Sequence, residues 1–250
     1  MTTILLARHG QASFGQANYD QLSDLGCEQA RLLGQHYARA ERRIDAIFSG
    51  SLVRQRDSAA HFWSQYQPVL EGCGELPIFD MATSSNYVLP AFDEFNHEDV
   101  FMKSTPHLRT QAQIAAELAR DNQPLMRLGE MFGQAMQRWH AGGHDEDYVE
   151  SWPTFSQRAQ QALEGLRTQL AESTHLGEDS TVLVFTSGGV ISAITAHLLE
   201  QGSQMAYQLT KSSVNTGVTA IDVQQPTPQL LSFNEHSHLF IQGKRFVTKH

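Results

Sequence analysis

Three short apolar runs, each broken by a polar step containing glycine and followed by an amphipathic stretch, set the rhythm of the chain. Thr3 to Ala7 is the first, of strand length, and it stops at Arg8-His9-Gly10-Gln11. Ser23 is then placed to cap a helix in which Ala30, Leu33 and Tyr37 share one face. Ile44 to Phe48 is the second run, ending at Ser49-Gly50-Ser51. Leu52, Ala59, Phe62 and Tyr66 follow at close to helical spacing. The third run, Thr181 to Thr186, reads as a buried strand that breaks at Ser187-Gly188-Gly189 and enters an apolar helix over Val190 to Leu199.

Between the second and third units lies a long helical middle section. Pro106, after Thr105, suits the first position of a helix that should end before Pro124. Leu128, Met131, Phe132, Ala135, Met136 and Trp139 form an amphipathic stripe, which core packing accounts for, methionines included. Gly142-Gly143 ends that helix and the acidic loop Asp145-Glu146-Asp147 follows. Thr154 and Gln157 fit a capping box for a helix lined by Phe155, Ala159, Leu163, Leu166 and Leu170. Strand formers and turns dominate Val214 to Val247. Strands alternating with helices predict a three-layer α/β fold, a mostly parallel central sheet flanked by helices. A single domain over 1–250 is expected, with a helical insertion at roughly 81–150 over the strand ends that selects the substrate. Ligands in such sheets bind beyond the carboxyl ends of the strands. Three such ends carry His9, Ser49 and Ser187, each followed by glycine.

Composition narrows the class. With 40% hydrophobic and 18% charged residues the chain is globular rather than disordered. A net charge of -9 and no basic stripe argue against a nucleic-acid or membrane-surface partner. Arg39, Arg42 and Arg43 sit at a helix end, where they offset its dipole. Cys27 and Cys73 make neither a metal set nor a disulfide framework, which fits a reducing compartment. The first residues lack the basic n-region and long apolar run of a signal peptide, and no stretch approaches a bilayer span. A cytoplasmic location is expected.

The chemistry gathers at the strand ends. Arg8 adjoins His9, Gly10 lets a ligand approach the backbone, and Arg54 follows the second strand end. Two guanidinium groups offer planar forks for phosphate oxygens, and an imidazole between them can attack phosphorus. Leu6-Ala7-Arg8-His9-Gly10-Gln11 resembles the signature of the histidine phosphatase superfamily, in its phosphoglycerate mutase-like branch. Tyr19 to Gly26, Phe48 to Ala59, Glu150-Ser151-Trp152 through Phe155 and Arg158, and Asn234 through Leu239 also resemble family segments, in the family's order.

The resemblance implies a metal-independent, cofactor-free phosphoric monoester hydrolase. His9 would become a phosphohistidine, Arg8 and Arg54 would hold the phosphoryl group, and Glu94, in Phe92-Asp93-Glu94-Phe95-Asn96-His97, would protonate the departing alcohol, with Asp93 as the alternative. Ser187 stands where the family normally carries a second histidine. Its hydroxyl and the Gly188 N–H can still donate to phosphate, but losing one preorganised donor costs about 2.7–4 kcal/mol of transition-state stabilisation. His97, His236 and His238 are candidates to fill that space, and Gln11, Ser13 and Asn18 are candidates for further phosphate contacts. His236 with His238, and His140 with His144, lack a completing ligand, so no catalytic metal is expected. The implied partners are a small phosphorylated substrate and orthophosphate, with a homodimer compatible. Two alternatives stay open: mutase-type phosphotransfer, and a non-catalytic protein that binds phosphorylated ligands.

Overall fold

A computed structural model of the chain describes residues 2–13, 20–70, 87–105, 110–173, 176 and 179–249. Its elements run β1 (Thr3–Arg8), α1 (Asp24–Arg39), β2 (Ala46–Ser49), α2 (Val53–Leu70), α3 (His97–Ser104), α4 (Gln111–Leu118), α5 (Pro124–Ala141), α6 (Trp152–Glu172), β3 (Thr181–Thr186), α7 (Gly188–Leu198), α8 (Ser203–Ser212), β4 (Val218–Asp222), β5 (Gln229–Glu235) and α9 (Ser237–Phe240). The sheet order is β2-β3-β1-β4-β5. β3 pairs in parallel with β1 and β2, whereas β4 is antiparallel to both β1 and β5. β5 therefore runs with the first three strands, and β4 alone opposes them. The sheet is mixed by pairing and mostly parallel by direction.

Side-chain alternation along the strands makes the layers. Ile4 and Leu6, with Phe48, Val182 and Val184, face a core of Phe92, Trp139, Phe155, Leu163 and Val190. Leu5 and Ala7, with Ile47, Leu183 and Phe185, face Leu33, Tyr37, Phe62 and Tyr66 on α1 and α2. These side chains are almost fully buried, and each Val, Leu, Ile or Phe among them stabilises the fold by about 1.5–3 kcal/mol relative to exposure.

Ser23 caps α1 as expected, its Oγ accepting from the Gly26 N–H at 3.0 Å. The cap of α6 differs from the sequence expectation. Ser151, not Thr154, is the N-cap, because Pro153 occupies the first turn and Thr154 already lies inside the helix. β2 begins at Ala46 rather than Ile44, and α7 begins at Gly188 rather than Val190. In the methionine stripe, Met131, Ala135, Met136 and Trp139 are buried, but Phe132 is exposed. Pro106 lies outside the described residues. α3 was not expected from the spacing; Asn96 caps it by accepting from the Asp99 N–H at 3.0 Å. No helix among the described residues is long and apolar enough to cross a membrane.

Candidate active site

The parallel register brings three strand ends level. Arg8 of β1 stands opposite Thr186 of β3, and Ser49 of β2 opposite Phe185. The next steps of the chain are locked as well: the His9 N–H donates to the Thr186 carbonyl at 2.8 Å and the Gly50 N–H to Phe185 at 3.0 Å. Gly10 then passes so close to Gly26 that an added Cβ would lie 2.3 Å from the Gly26 carbonyl oxygen. Only glycine fits where the β1 loop crosses the start of α1.

His9 is buried, and its Nδ1 lies 2.7 Å from the Gly10 carbonyl oxygen. A carbonyl only accepts, so Nδ1 carries the proton and Nε2 presents a lone pair. Arg54 Nε, from the first turn of α2, donates to that Nε2 at 3.2 Å. Burial, then the charges of Arg54 and Arg8, hold the His9 pKa well below the ordinary imidazole value. The ring is a neutral base at neutral pH. Arg54 is itself buried, and its Nη1 donates to Asp20 Oδ1 at 2.8 Å. Arg8 Nη1 donates to the Ser213 carbonyl at 2.6 Å, while its Nε stands 3.4 Å from where a Cβ on Gly188 would be.

Glu94 reaches the same place from the loop before α3. Its Oε2 accepts from the Gly189 N–H, at the start of α7, at 3.0 Å. A Cβ on Gly189 would stand 2.2 Å from Glu94 Oε1, so glycine there makes room for the carboxyl. Burial raises the Glu94 pKa and outweighs the opposing pull of the Gly189 N–H, Arg54 and Arg8. Such a group holds its proton to a higher pH than a free carboxyl does.

The remaining sequence candidates fall into two groups. His97 opens α3 and is half-buried between the rings of Phe95 and Phe132, at centroid distances of 4.3 and 6.0 Å. Burial, then the charges of Arg54 and Arg8, push its pKa down to about 3. It lies close enough to His9 and the two arginines for their charges to act on one another. Ser187 is fully buried, and its Oγ accepts from Gln55 Nε2 at 2.9 Å. Asp93 turns towards the β2 end, where the Ser51 N–H donates to its Oδ1 at 2.6 Å. Gln11 Oε1 accepts from Ser23 Oγ at 3.0 Å, and Ser13 Oγ donates to the Leu22 carbonyl at 3.0 Å. Both brace the loop. His238 Nε2 lies 2.9 Å from Thr216 Oγ1, His236 Nδ1 faces the Asn234 carbonyl, and His140 Nδ1 faces Met136. None of these three joins His9. Asn18, Tyr19 and Cys73 lie outside the described residues. Among the described residues no group of three or more His, Cys, Asp or Glu side chains is placed to hold a metal ion.

Several supporting residues escaped the sequence reading. Ser58 Oγ accepts from the Gly10 N–H at 2.9 Å and donates to the Arg54 carbonyl at 2.7 Å, tying the nucleophile loop to α2. Its place four residues after Arg54, on the same helix face, is a signal that could have found it. Gln55 donates to the Phe92 carbonyl at 3.1 Å, and Thr186 Oγ1 does so at 2.6 Å. Asp20 carries no local signal; only the fold brings it to Arg54.

Comparison with known proteins identifies the family and the fold. Residues 4–72 and 94–236 match the family model described as histidine phosphatase superfamily (branch 1). No curated protein matches the sequence. Among solved structures, a phosphoserine phosphatase mutant from Entamoeba histolytica, in complex with phosphoserine, superposes with a TM-score of 0.56 at 20% identity, covering 96% of this chain and 100% of that one. A mycobacterial glucosyl-3-phosphoglycerate phosphatase gives 0.57 at 19% identity, covering 93% and 99%. The Bacillus stearothermophilus protein YhfR gives 0.59 at 20%, covering 95% and 99%. At these identities the likeness is one of fold.

Proposed function

Since this chain belongs to branch 1 of the histidine phosphatase superfamily, we propose that it hydrolyses small phosphomonoesters through a phosphohistidine on His9. The observation that carries this reading is the state of the imidazole. Nδ1 is locked by the Gly10 carbonyl, so Nε2 offers its lone pair beside the Arg54 guanidinium at 3.2 Å.

In the proposed cycle Nε2 attacks phosphorus while Arg54 and Arg8 hold the phosphoryl oxygens. The P–O bond to the alcohol breaks, and Glu94, whose pKa burial raises, is the group that gives a proton to the leaving oxygen. Water then attacks the phosphohistidine, Glu94 takes a proton back, and orthophosphate leaves. No step calls on a metal or an organic cofactor. His97 is the proposed second imidazole donor. It enters from α3, on the acid side of the site, rather than from the end of β3. Its neutrality and its sensitivity to both arginines support that role, as does the engagement of Ser187 Oγ with Gln55. The substrate class proposed is a phosphorylated alcohol, with the surface around His97 and Phe132 receiving the alcohol portion.

Purified protein incubated with an aryl phosphate and a panel of alkyl phosphates, beside His9→Ala, tests the reading. Hydrolysis by the wild type alone is expected, with an acid-labile phosphoenzyme trapped on His9 after a rapid quench. Equal activity in both proteins refutes His9 as nucleophile. A folded wild type that binds these esters without turnover refutes the enzyme reading in favour of a binding protein.

A further inference from the structure

The loop that carries Glu94 is held by more than its own turn. Three consecutive carbonyls before it, those of Ala91, Phe92 and Asp93, all accept hydrogen bonds from side chains. Phe92 is held by Gln55 and Thr186, on α2 and β3. Ala91 and Asp93 are held by one atom, Arg158 Nη1 of α6, at 2.9 and 2.8 Å. The other edge of that guanidinium grips Glu150 in a two-pronged pair, Nε to Oε1 at 2.8 Å and Nη2 to Oε2 at 2.9 Å. Its carbon stands 5.0 Å from the centroid of the Phe155 ring. Glu150 is fixed in turn, because its carbonyl accepts from Trp139 Nε1 at 2.9 Å, and Trp139 packs against Phe95 at 4.4 Å between centroids. The chain on both sides of Glu94 is thus tied to one Arg158–Glu150–Trp139 brace.

We propose that Arg158, with Glu150 as its partner, is the positioning residue of the acid loop: the brace sets where the Glu94 carboxyl stands and so governs proton delivery to the departing alcohol. The inference rests on the reading of Glu94 as proton donor. An isolated exposed ion pair contributes little, but this one is bidentate and partly buried, and its remaining nitrogen holds two backbone oxygens. Misplacing a catalytic group by about 1 Å can cost roughly a hundredfold in rate. Glu150 has a second task. A lone guanidinium beside the loop would favour the ionised form of Glu94; paired with Glu150, its charge is offset and Glu94 keeps its proton to higher pH.

The leaving group separates this role from a merely structural one. A nitrophenolate departs without a proton, whereas an alkoxide needs one, and kcat/KM reports the steps up to that departure. The ratio of kcat/KM on the best alkyl phosphate to that on nitrophenyl phosphate should fall about a hundredfold in Glu94→Gln, within the usual range for a general acid. It should fall about tenfold or more in Arg158→Met and recover in part in Arg158→Lys. In Glu150→Gln the alkaline limb of the alkyl phosphate profile should move to lower pH. If Glu94→Gln lowers the ratio while Arg158→Met and Glu150→Gln leave ratio and profile unchanged, the positioning role is wrong and the acid assignment survives. If Glu94→Gln leaves the ratio unchanged, the acid assignment fails and the inference falls with it. Should Arg158→Met not fold, Arg158→Lys and Glu150→Gln decide by the same two readouts.

Discussion

Acidification should unfold this protein through its buried neutral histidines, and His238 is the clearest case. Its ring is 2% exposed, and Nε2 is 2.9 Å from Thr216 Oγ1. Burial, the dominant cause, pushes its pKa from 6.5 down to about 3; neighbouring His36 and His236 push the same way, and Glu235 opposes them. In the unfolded chain the ring takes a proton as pH falls through 6.5, while in the folded chain it stays neutral until about 3. The unfolded state therefore binds more protons across that window, and stability rises with pH there and falls on acidification. From pH 6.5 to pH 5, at about 1.4 kcal/mol per pH unit and proton, the loss is about 2 kcal/mol. His140, 5% exposed and held to a pKa of about 4, behaves alike. Together the two remove about 4 kcal/mol, a large part of the 5–15 kcal/mol that holds a typical domain folded. Urea unfolding at pH 7.5 and pH 5 measures this directly. His238→Gln keeps a hydrogen-bonding partner for Thr216 and removes the titration, so its loss between the two pH values should be about 2 kcal/mol smaller than that of the wild type. Glu94 works in the opposite sense, because a raised carboxyl pKa favours the folded state at lower pH. It is common to both proteins and cancels in the difference. Equal losses, within about 0.5 kcal/mol, would refute a neutral buried His238.

Three further outcomes follow from contacts at the site. Gly189→Ala places a methyl 2.2 Å from Glu94 Oε1; the far end of a side chain can move, so the fold should persist by circular dichroism while kcat falls at least about tenfold, as the acid is displaced. Gly10→Ala drives a methyl to 2.3 Å from the Gly26 carbonyl, backbone against backbone, and should destabilise by about 3 kcal/mol or more in urea titration. His97→Gln should lower kcat/KM at least about tenfold more than Ser187→Ala does. The serine change should appear chiefly as about 1 kcal/mol of lost stability, because Gln55 loses an acceptor; the reverse order would put the phosphate donor back at β3.

What the sequence determined by itself is what local pattern encodes. The unbroken apolar runs within Thr3–Arg8 and Thr181–Thr186 are those of strands buried on both faces, and Ser23 announces the start of α1. The Arg8-His9-Gly10 step says little alone; it becomes legible through the ordered segments that follow it, Phe48 to Ala59 with Arg54 above all. The start of α6 shows where local reading slips: the pattern points to a cap at Thr154, but Pro153 already occupies the first turn and Ser151 is the cap. What the tertiary structure alone decided are the meetings between residues far apart in the chain. Asp20 finds Arg54 across the gap between the first loop and α2, Ser187 turns inward to Gln55, and His97 of α3 comes within reach of the charges of both arginines. Arg158 reaches back from α6 to carbonyls of the acid loop. The physical reason is that such contacts have no period and no spacing. They are hydrogen bonds and charge–charge effects set by the distance between atoms and by the water excluded around them, and both exist only after the sheet has brought its strand ends level and the helices have closed over them.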